Sequence, residues 1–484
     1  MEQDIRELSS PHFDKTHYEQ QFKLLSMAAR EAQERIDYSS AHNPETMRAI
    51  DVVETFLRKK HRLCYGGQAI NAHLPKKYKI YNPERTVPDY DFFTPDQVGD
   101  IRLLTKELRT AGFIEISARE GMHEGTIKIY VNYVPVADVT QIDPKLYTLL
   151  SEREYKLDGI SYLDANTLRM LMYLEISRPR GEVDRWEKVY ERLLLLNEFA
   201  PVRPCKRTEL YPPREGRAKL ALASKAGVTE SRLPRGLFTE AEVKAVLDYA
   251  VRENRLFAGA DLVGLYKTAL RKSKAPHANW MVRTKMPLYL YTPDLKADTT
   301  HFKYELEHIS NNKVQTTHIK AMGGDLIPEM TVFSRNSTPF LILMNQSACH
   351  SFYTVPLKFG QQLRVATLDT LITLYFSLAL LKYRFLSLGS LECLAQELVQ
   401  ISYKARAKPD AFPFPFISLS CAGHQTGLPS LIRAKVRRIE TSKRRIAEAM
   451  GTNEEGVTGS SSVQRVGSVR KASHRRTVRR NRWL

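Results

Sequence analysis

Two aspartates stand two residues apart in a run of strand-forming residues, and their chemistry is the first clue to function. Asp89 and Asp91 lie within residues 87–93, VPDYDFF. The side chains of a strand alternate between its two faces, so both carboxylates should share one face while Tyr90 and Phe92 face a core. Carboxylates held side by side raise each other's pKa through like-charge repulsion. A hard divalent cation between the oxygens removes that repulsion, so the pair predicts a metal-binding site.

A Gly-Gly turn upstream and a third acid downstream extend this site. Residues 63–69, LCYGGQA, predict a short apolar strand, a turn at Gly66 and Gly67, and then a helix. Glycines at such a turn let backbone N–H groups approach a phosphate closely. Asp138 lies in another strand-like run, VPVADVT. Three convergent carboxylates beside a Gly-Gly turn predict a two-metal site for nucleotidyl transfer, with the three aspartates as catalytic and metal-binding residues.

Each of these residues also has a purely structural interpretation. An Asp-x-Asp pair in a strand is more often a solvated edge, and a Gly-Gly pair is more often only a tight turn. Lys128 shares a strand face with Thr126 and could reach a triphosphate oxygen as a point charge, although a solvent-facing lysine is the commoner case. His123 is more often a loop or core histidine than a site residue. The order of the glycines, the Asp pair and Asp138 favours the catalytic interpretation.

Hydrophobic periodicity predicts the elements that must position this site. Helical spacing of apolar residues predicts helices over 17–61 and about 96–111, the latter ended by Gly112. Alternating patterns predict strands at 113–116, at 126–131 and around Asp138, with a turn at 132–133. This order favours a mixed sheet covered by helices on one side, which is an α+β fold.

The second half of the chain shows the same kind of pattern. Helices are predicted at 164–199 with a break at 177–181, at 217–272, at about 364–387 and at 391–405, and strands at 287–291, 313–319 and 338–344. Residues 411–416, AFPFPF, predict an aromatic–proline clamp. We therefore expect N-terminal helices plus a catalytic domain over 1–200 and a second α+β domain over 201–450. An Arg-rich tail follows at 451–484, which its composition predicts to be disordered.

Composition places the chain among soluble globular proteins that meet an anionic partner. The chain has 484 residues, of which 43% are hydrophobic and 26% charged, and its formal net charge is +19. Residues 431–484 hold fifteen Lys/Arg against four Asp/Glu. Because the sequence also offers a phosphate-chemistry site, nucleic acid is the expected partner.

Three further signals bound the setting of the protein. The five cysteines are widely spaced, which predicts neither a zinc knuckle nor a redox pair and favours a reducing compartment. The charged N-terminus does not resemble a secretory signal. The longest apolar stretch, 368–381, is too short to span a bilayer and carries an aspartate, so it predicts a buried core helix and no membrane partner.

At this point the sequence resembles a known family. The three-part pattern is similar to that of the DNA-polymerase-β-like nucleotidyltransferases, and the flanking residues resemble the poly(A) polymerase catalytic subunits of large cytoplasmic DNA viruses. The poxvirus enzyme is the more distant in pattern and the mimivirus-like enzymes are nearer. The segments that carry the resemblance are 65–71 (YGGQAIN), 88–93 (PDYDFF), 123–128 (HEGTIK), 137–140 (ADVT), 177–179 (SRP), 185–193 (RWEKVYERL) and 414–419 (FPFISL).

The resemblance implies a nucleotidyltransferase fold, a second domain of related fold that lacks the acids, and polyadenylation of mRNA 3′ ends from ATP. It also implies two Mg²⁺ or Mn²⁺ ions as cofactors, an RNA 3′ end and ATP as partners, and a homodimer. Nucleotide-binding residues are then Gly66, Gly67, Gln68, Thr126 and Lys128. The implied location is the host cytoplasm, in the virus factory and the virion, with nuclear import through the basic tail as an open alternative.

Two other functions remain open from the residues. One is a terminal transferase with another base preference, since nothing in the sequence reveals how a base is chosen. The other is a non-catalytic RNA-binding or processivity subunit on a decayed transferase fold, which predicts damaged carboxylates. All three candidate acids are present, which favours the enzyme.

Overall fold

The computed structural model describes residues 14–82, 86–205, 239–272, 287–324, 326–335, 338–357, 361–381 and 388–449. The predicted tail at 451–484 and part of the predicted helical region 217–272 lie outside the described residues. The described chain divides into two compact units. Residues up to Arg119 together with Lys128–Val139 and Lys156–Tyr162 form the first unit, and the remainder forms the second. The predicted boundary at residue 200 stays a prediction.

A seven-stranded sheet carries the candidate site. Its strands follow the order β3-β4-β5-β2-β1-β7-β6, in which β1 runs antiparallel to β2 and parallel to β7. The strands are β1 Leu63–Tyr65, β2 Tyr90–Thr94, β3 Ile116–Glu120, β4 Thr126–Val131, β5 Val134–Gln141, β6 Tyr155–Leu157 and β7 Ile160–Tyr162. Side chains alternate as predicted on β2, where Tyr90 and Phe92 are buried in the core.

The described residues up to 199 contain seven helices, of which all but α3 and α7 begin at a side-chain cap that the sequence supplies. They are α1 Lys15–Ala41, α2 Pro44–Lys60, α3 Gly66–Ala72, α4 Gln97–Thr110, α5 Pro144–Ser151, α6 Ala165–Ile176 and α7 Trp186–Phe199. The Asn43 side chain accepts N–H bonds at the start of α2, and Asp96 does the same for α4. Such caps satisfy N–H groups that the first helical turn leaves without partners. The predicted helix at 17–61 is therefore two helices, divided at this cap.

An eight-stranded sheet forms the centre of the second unit. Its order is β10-β11-β12-β9-β8-β14-β13-β15. The strands are β8 Leu256–Phe257, β9 Leu288–Thr292, β10 Gln315–Ile319, β11 Met330–Arg335, β12 Thr338–Asn345, β13 His350–Pro356, β14 Gln362–Ala366 and β15 Cys421–Ala422. The helices are α8 Glu240–Arg252, α9 Leu262–Lys272, α10 Leu295–Ser310, α11 Leu368–Leu380, α12 Leu388–Ala407 and α13 Leu428–Ala449. Every residue of α11 is buried, which confirms the predicted core helix.

The second sheet repeats the topology of the first. Reading β8 for β1, β9 for β2, β10–β12 for β3–β5, β14 for β7 and β13 for β6 converts one strand order into the other. Directions agree as well, because β8 is antiparallel to β9 and parallel to β14. The α+β fold with a second domain of related fold is thus confirmed.

A buried ion pair is repeated at the same place in both units. Arg62, just before β1, donates to both carboxylate oxygens of Asp100 over 2.6 and 3.0 Å. Arg255, just before β8, donates to both oxygens of Asp298 over 2.7 and 2.9 Å. Bidentate pairs of this kind are the strong ones, and removal of one partner leaves a buried charge uncompensated. Each pair fixes the helix that follows β2 or β9 to the start of the neighbouring strand.

The sequence holds a short signal of this repeat. Residues 94–100 read TPDQVGD and residues 292–298 read TPDLKAD. In each copy the threonine ends its strand and its hydroxyl accepts the N–H of the first aspartate. That aspartate caps the helix, and the second aspartate accepts the hydrogen bonds of the buried arginine.

Several element predictions differ from the structure. The strand expected at 113–116 begins only at Ile116, and residue 364 lies in β14 instead of a helix. Helix α10 was not predicted, although its capping aspartate is visible in the sequence. The remaining predicted strands lie within two residues of β4, β9, β10 and β12.

The cysteines differ from the expectation of a fully reduced chain. Cys205 is bonded to Cys393 and Cys349 to Cys421, across 188 and 72 residues of sequence, while Cys64 is buried and free. Pairs so distant in sequence meet only through the tertiary fold, and their spacing gives no sign of them. Within the described residues, no helix is both long and apolar enough to cross a membrane.

Candidate active site

The Gly-Gly turn between β1 and α3 is shaped by the left-handed conformation of its first residue. Gly66 has φ of +68°, a region that residues with a side chain rarely adopt. A Cβ on Gly66 would lie 2.2 Å from Oδ2 of Asp91. The turn therefore passes directly against the carboxylate of Asp91, and only glycine leaves room for this approach.

Strand register explains why these two residues meet. Tyr65, the last residue of β1, pairs with Asp91 on the antiparallel strand β2. The aromatic rings of Tyr65 and Phe93 stack with their centroids 4.0 Å apart. The turn at Gly66 follows at once, so the chain leaves β1 beside the second acid of the Asp pair.

The three candidate acids differ in their exposure. Asp89 is exposed and stands one residue before β2, so the predicted strand begins one residue later than its first acid. Asp91 is half-buried within β2. Asp138 is buried within β5, which lies next to β2 in the sheet.

Lys128 connects these carboxylates electrostatically. It lies on β4, next to β5, and its ammonium forms an ion pair with Oδ2 of Asp138. Burial alone would lower the pKa of Lys128. The hydrogen bond to Asp138 and the charges of Asp138, Asp89 and Asp91 outweigh burial, so the pKa of Lys128 is raised. Four neighbouring strands of the sheet, β4, β5, β2 and β1, thus carry or adjoin Lys128, Asp138, Asp91 and Gly66. The ammonium of Lys128 lies within the electrostatic field of three carboxylates.

A divalent cation fits these residues in its donor chemistry. Oδ1 of Asp138 is buried and has no hydrogen-bond partner among the described residues. A buried carboxylate oxygen without a partner costs free energy that a bound cation would recover. Among the residues that the structure describes, no group of three His, Cys, Asp or Glu is arranged to hold a metal ion. The ammonium of Lys128 supplies the positive charge beside Asp138 in this arrangement.

Two other residues predicted to bind nucleotide have definite surroundings. Thr126 is buried, and its hydroxyl lies 2.9 Å from that of Thr140 on β5. Gln68 is half-buried in the first turn of α3. The roles assigned to the eight site residues stay predictions.

Asn71 is a positioning residue that the sequence analysis missed. Its buried side-chain amide accepts the N–H of Ile80 over 2.7 Å and donates to the carbonyl of Tyr81 over 2.8 Å. These bonds bring the Tyr81 ring over Gly67, where a Cβ would lie 2.4 Å from Cε2 of the ring. Asn71 therefore fixes the basic segment between α3 and β2 against the Gly-Gly turn. The only sequence signal is a polar residue on the core side of α3.

Known proteins share both the sequence pattern and the fold. Residues 51–182 match the family model of the poly(A) polymerase catalytic subunit. Two viral proteins assigned as poly(A) polymerase catalytic subunits are 28% identical: one from African swine fever virus over 168 residues and one from Acanthamoeba polyphaga mimivirus over 171 residues. The matched segments cover 34% of this chain in both cases. The resemblance to viral poly(A) polymerase catalytic subunits is confirmed.

The share of each chain that is matched limits the conclusions that can be drawn from these similarities. The matched segments span 35% of the swine fever virus protein and 29% of the mimivirus protein, about a third of their own lengths. The crystal structure of the Megavirus polyadenylate synthase matches with a TM-score of 0.64 over 90% of this chain and 84% of that chain, at 17% identity. At that identity the structural match establishes the fold. The family segment contains the Gly-Gly turn, all three acids and Lys128.

Proposed function

We propose that this protein is a polynucleotide adenylyltransferase that adds AMP from ATP to the 3′-hydroxyl of RNA, including mRNA, and releases pyrophosphate. The observation that carries the proposal is the convergence of charge from Asp89, Asp91 and Asp138 on Lys128 beside the Gly66 turn. A solvated edge strand, the main structural alternative, would not pair a buried acid with a half-buried lysine. The family match and the shared fold support the same chemistry.

In the proposed reaction the 3′-oxygen attacks the α-phosphorus of ATP. The bond between that phosphorus and the oxygen bridging to the β-phosphate breaks, and pyrophosphate leaves with the electron pair while the hydroxyl proton passes to solvent. Asp89, Asp91 and Asp138 would hold two Mg²⁺ or Mn²⁺ ions. Such ions neutralise the charge of the transferring phosphoryl group and lower the pKa of the attacking hydroxyl.

The remaining site residues serve binding in this proposal. Gly66 and Gly67 have no side chain between the backbone and the triphosphate, so phosphate oxygens can approach their N–H groups. Gln68 and Thr126 lie close to these glycines or to Lys128 in sequence and are assigned to nucleotide binding. Lys128 has two roles to reconcile, since it pairs with Asp138 in this structure and is assigned to a phosphate of ATP.

An extension assay tests the function. Purified protein is incubated with a labelled RNA oligonucleotide, Mg²⁺ or Mn²⁺, and each of the four nucleoside triphosphates separately. Extension with ATP alone is expected. Extension with another nucleotide instead would identify a terminal transferase of different base preference, and RNA binding without any extension would identify a non-catalytic subunit.

A matched pair of variants tests the assignment of the acids. Asp91→Asn removes a carboxylate charge at the site, and Asp51→Asn removes one on the exposed side of α2. Loss of a metal-binding carboxylate should lower the extension rate by at least 10²-fold, whereas the control should stay within twofold of the parent protein. Equal rates for the two variants would remove Asp91 from the site.

We also propose the partners and the location that the family resemblance implies. RNA 3′ ends and ATP are the proposed substrates, a homodimer is the proposed assembly, and the host cytoplasm is the proposed site of action. Gel filtration with light scattering would measure the assembly directly.

A further inference from the structure

The last described helix, α13, carries a dense set of cations. Over Leu428–Ala449 it contains seven Lys/Arg and two Glu. Exposed Arg433, Arg437 and Arg444 recur at intervals of four and seven residues. Those intervals return to nearly the same face of a helix, and at 1.5 Å per residue they place the three residues about 6 and 10 Å apart along the axis. We call these three residues the arginine row.

The cations of α13 have little acidic compensation. Arg433 donates to the hydroxyl of Ser430 over 3.1 Å, on its own helix. Within the part of the chain that the structure describes, Arg437 and Arg444 form no ion pair, although Glu440 lies between them on the same helix. Guanidinium groups in this state keep their forked donors available for a phosphate.

One arginine on the adjacent face fixes the helix in place. Arg438 donates to the carbonyl of Met122 over 3.1 Å and of Gly121 over 3.5 Å, and its guanidinium lies 3.5 Å from the carboxylate of Glu120. This segment leads directly along the chain into β4, the strand that carries Lys128. Because α13 is anchored, the arginine row is presented on a fixed support, and ordering it on binding costs little entropy.

We propose that the arginine row binds backbone phosphates of the RNA substrate. The proposal rests on the proposed function for the identity of the polyanion, and charge complementarity carries it. An anionic membrane is the competing partner, since Leu428, Ile432 and Val436 lie on another face of α13. These three side chains are 45%, 45% and 48% exposed, so the experiment below includes anionic vesicles as the outcome that would contradict RNA binding.

The test measures RNA affinity of the full chain against salt concentration, without ATP. Fluorescence anisotropy follows a labelled single-stranded RNA with the parent protein and with the triple variant R433Q/R437Q/R444Q. The matched control is K296Q/K303Q/K313Q, which removes three exposed cations and the same net charge elsewhere in the second unit. The variant R433K/R437K/R444K keeps the charge and tests rescue.

A plot of the logarithm of the RNA association constant against the logarithm of salt concentration has a negative slope. Each phosphate contact on a single strand contributes about 0.7 to the size of that slope, so the slope should become less steep by about 2 in the glutamine variant of the arginine row. For each tenfold dilution of salt, the parent protein should therefore gain roughly 100-fold more in RNA affinity than the variant does. The control should keep the parent slope, and the lysine variant should recover most of it.

Equal slopes for the row variant and the control would overturn the inference. So would stronger binding of the parent protein to phosphatidylserine vesicles than to RNA, accompanied by loss of vesicle binding in the row variant. The extension assay separates the two proposals. A chain that extends no RNA but binds it through the row refutes only the adenylyltransferase, whereas one that extends RNA with an unchanged salt slope in the row variant refutes only the row.

Discussion

The substitution Gly66→Ala isolates the close approach between the turn and Asp91. Alanine at φ of +68° is strained, and such strain costs of order 1–3 kcal/mol. The new Cβ would also lie 2.2 Å from Oδ2 of Asp91, whereas ordinary contacts begin near 3.4 Å. The carboxylate must therefore withdraw by about 1 Å, and a displacement of that size at a reacting centre can lower the rate 10²-fold.

Gly112 supplies a matched control for the backbone strain. It has φ of +93°, and a Cβ there would meet nothing within 4 Å. Gly112→Ala should therefore lower the free energy of unfolding by a similar amount, while its extension rate stays near that of the parent. Urea unfolding measures the first quantity and single-turnover extension with ATP measures the second.

The comparison of the two alanine variants decides the argument. If Gly66→Ala extends RNA within twofold of Gly112→Ala, the position of Asp91 beside Gly66 has no bearing on catalysis. If Gly66→Ala is much slower but no less stable than Gly112→Ala, the loss of activity comes from the displaced carboxylate and not from unfolding.

Two further predictions follow from the ion pairs. Lys128→Met removes the cation beside Asp138, so the metal-free variant should melt at a lower temperature than the metal-free parent. Mn²⁺ should then raise the melting temperature of the variant by more than that of the parent. An equal rise in both proteins would show that Lys128 and the metal ion do not compete. Asp298→Asn leaves Arg255 buried without its counter-charge and should lower the free energy of unfolding of the second unit by about 3–5 kcal/mol, against less than about 0.5 kcal/mol for the exposed control Asp410→Asn in the same unit. Burial raises the pKa of Asp298, but its hydrogen bonds outweigh burial and lower that pKa overall. The contribution of Asp298 to stability is therefore present above its pKa in the unfolded chain, near 3.9, and is lost as the pH falls through its pKa in the folded protein. Below pH 4 the variant should lose less stability than the parent, which urea unfolding at several pH values would measure.

The local geometry around the candidate site was largely predictable because its signals are local. A period of two places Tyr90 and Phe92 in the core, and a Gly-Gly pair after an apolar strand predicts the turn. The partner of Lys128 was not predictable, since it depends on how β4 and β5 lie beside each other. The Asn71 contacts were hidden for the same reason, because they span a segment with no periodic pattern.

The fold shows a similar division between local and distant information. Helix α2 follows from the helical spacing of its apolar residues, and α11 follows from its uninterrupted apolar run. The repeat of the first sheet in the second was expected only from the family resemblance, since it is preserved in strand order more than in residues. The two TPDxxxD segments were the exception, and comparison of the chain with itself would have found them.

The duplicated scaffold also allows one position of the candidate site to be compared between two copies of the same fold. Counting back three residues from the threonine that ends each strand, Asp91 in β2 corresponds to Tyr289 in β9. Tyr289 is fully buried and packs edge-on against Tyr375, with ring centroids 5.7 Å apart. At this position the second copy thus has a packed aromatic ring and the first copy has a carboxylate. Under the proposed function, the first copy gives up the packing that Tyr289 provides in the second copy in order to place a carboxylate in the site.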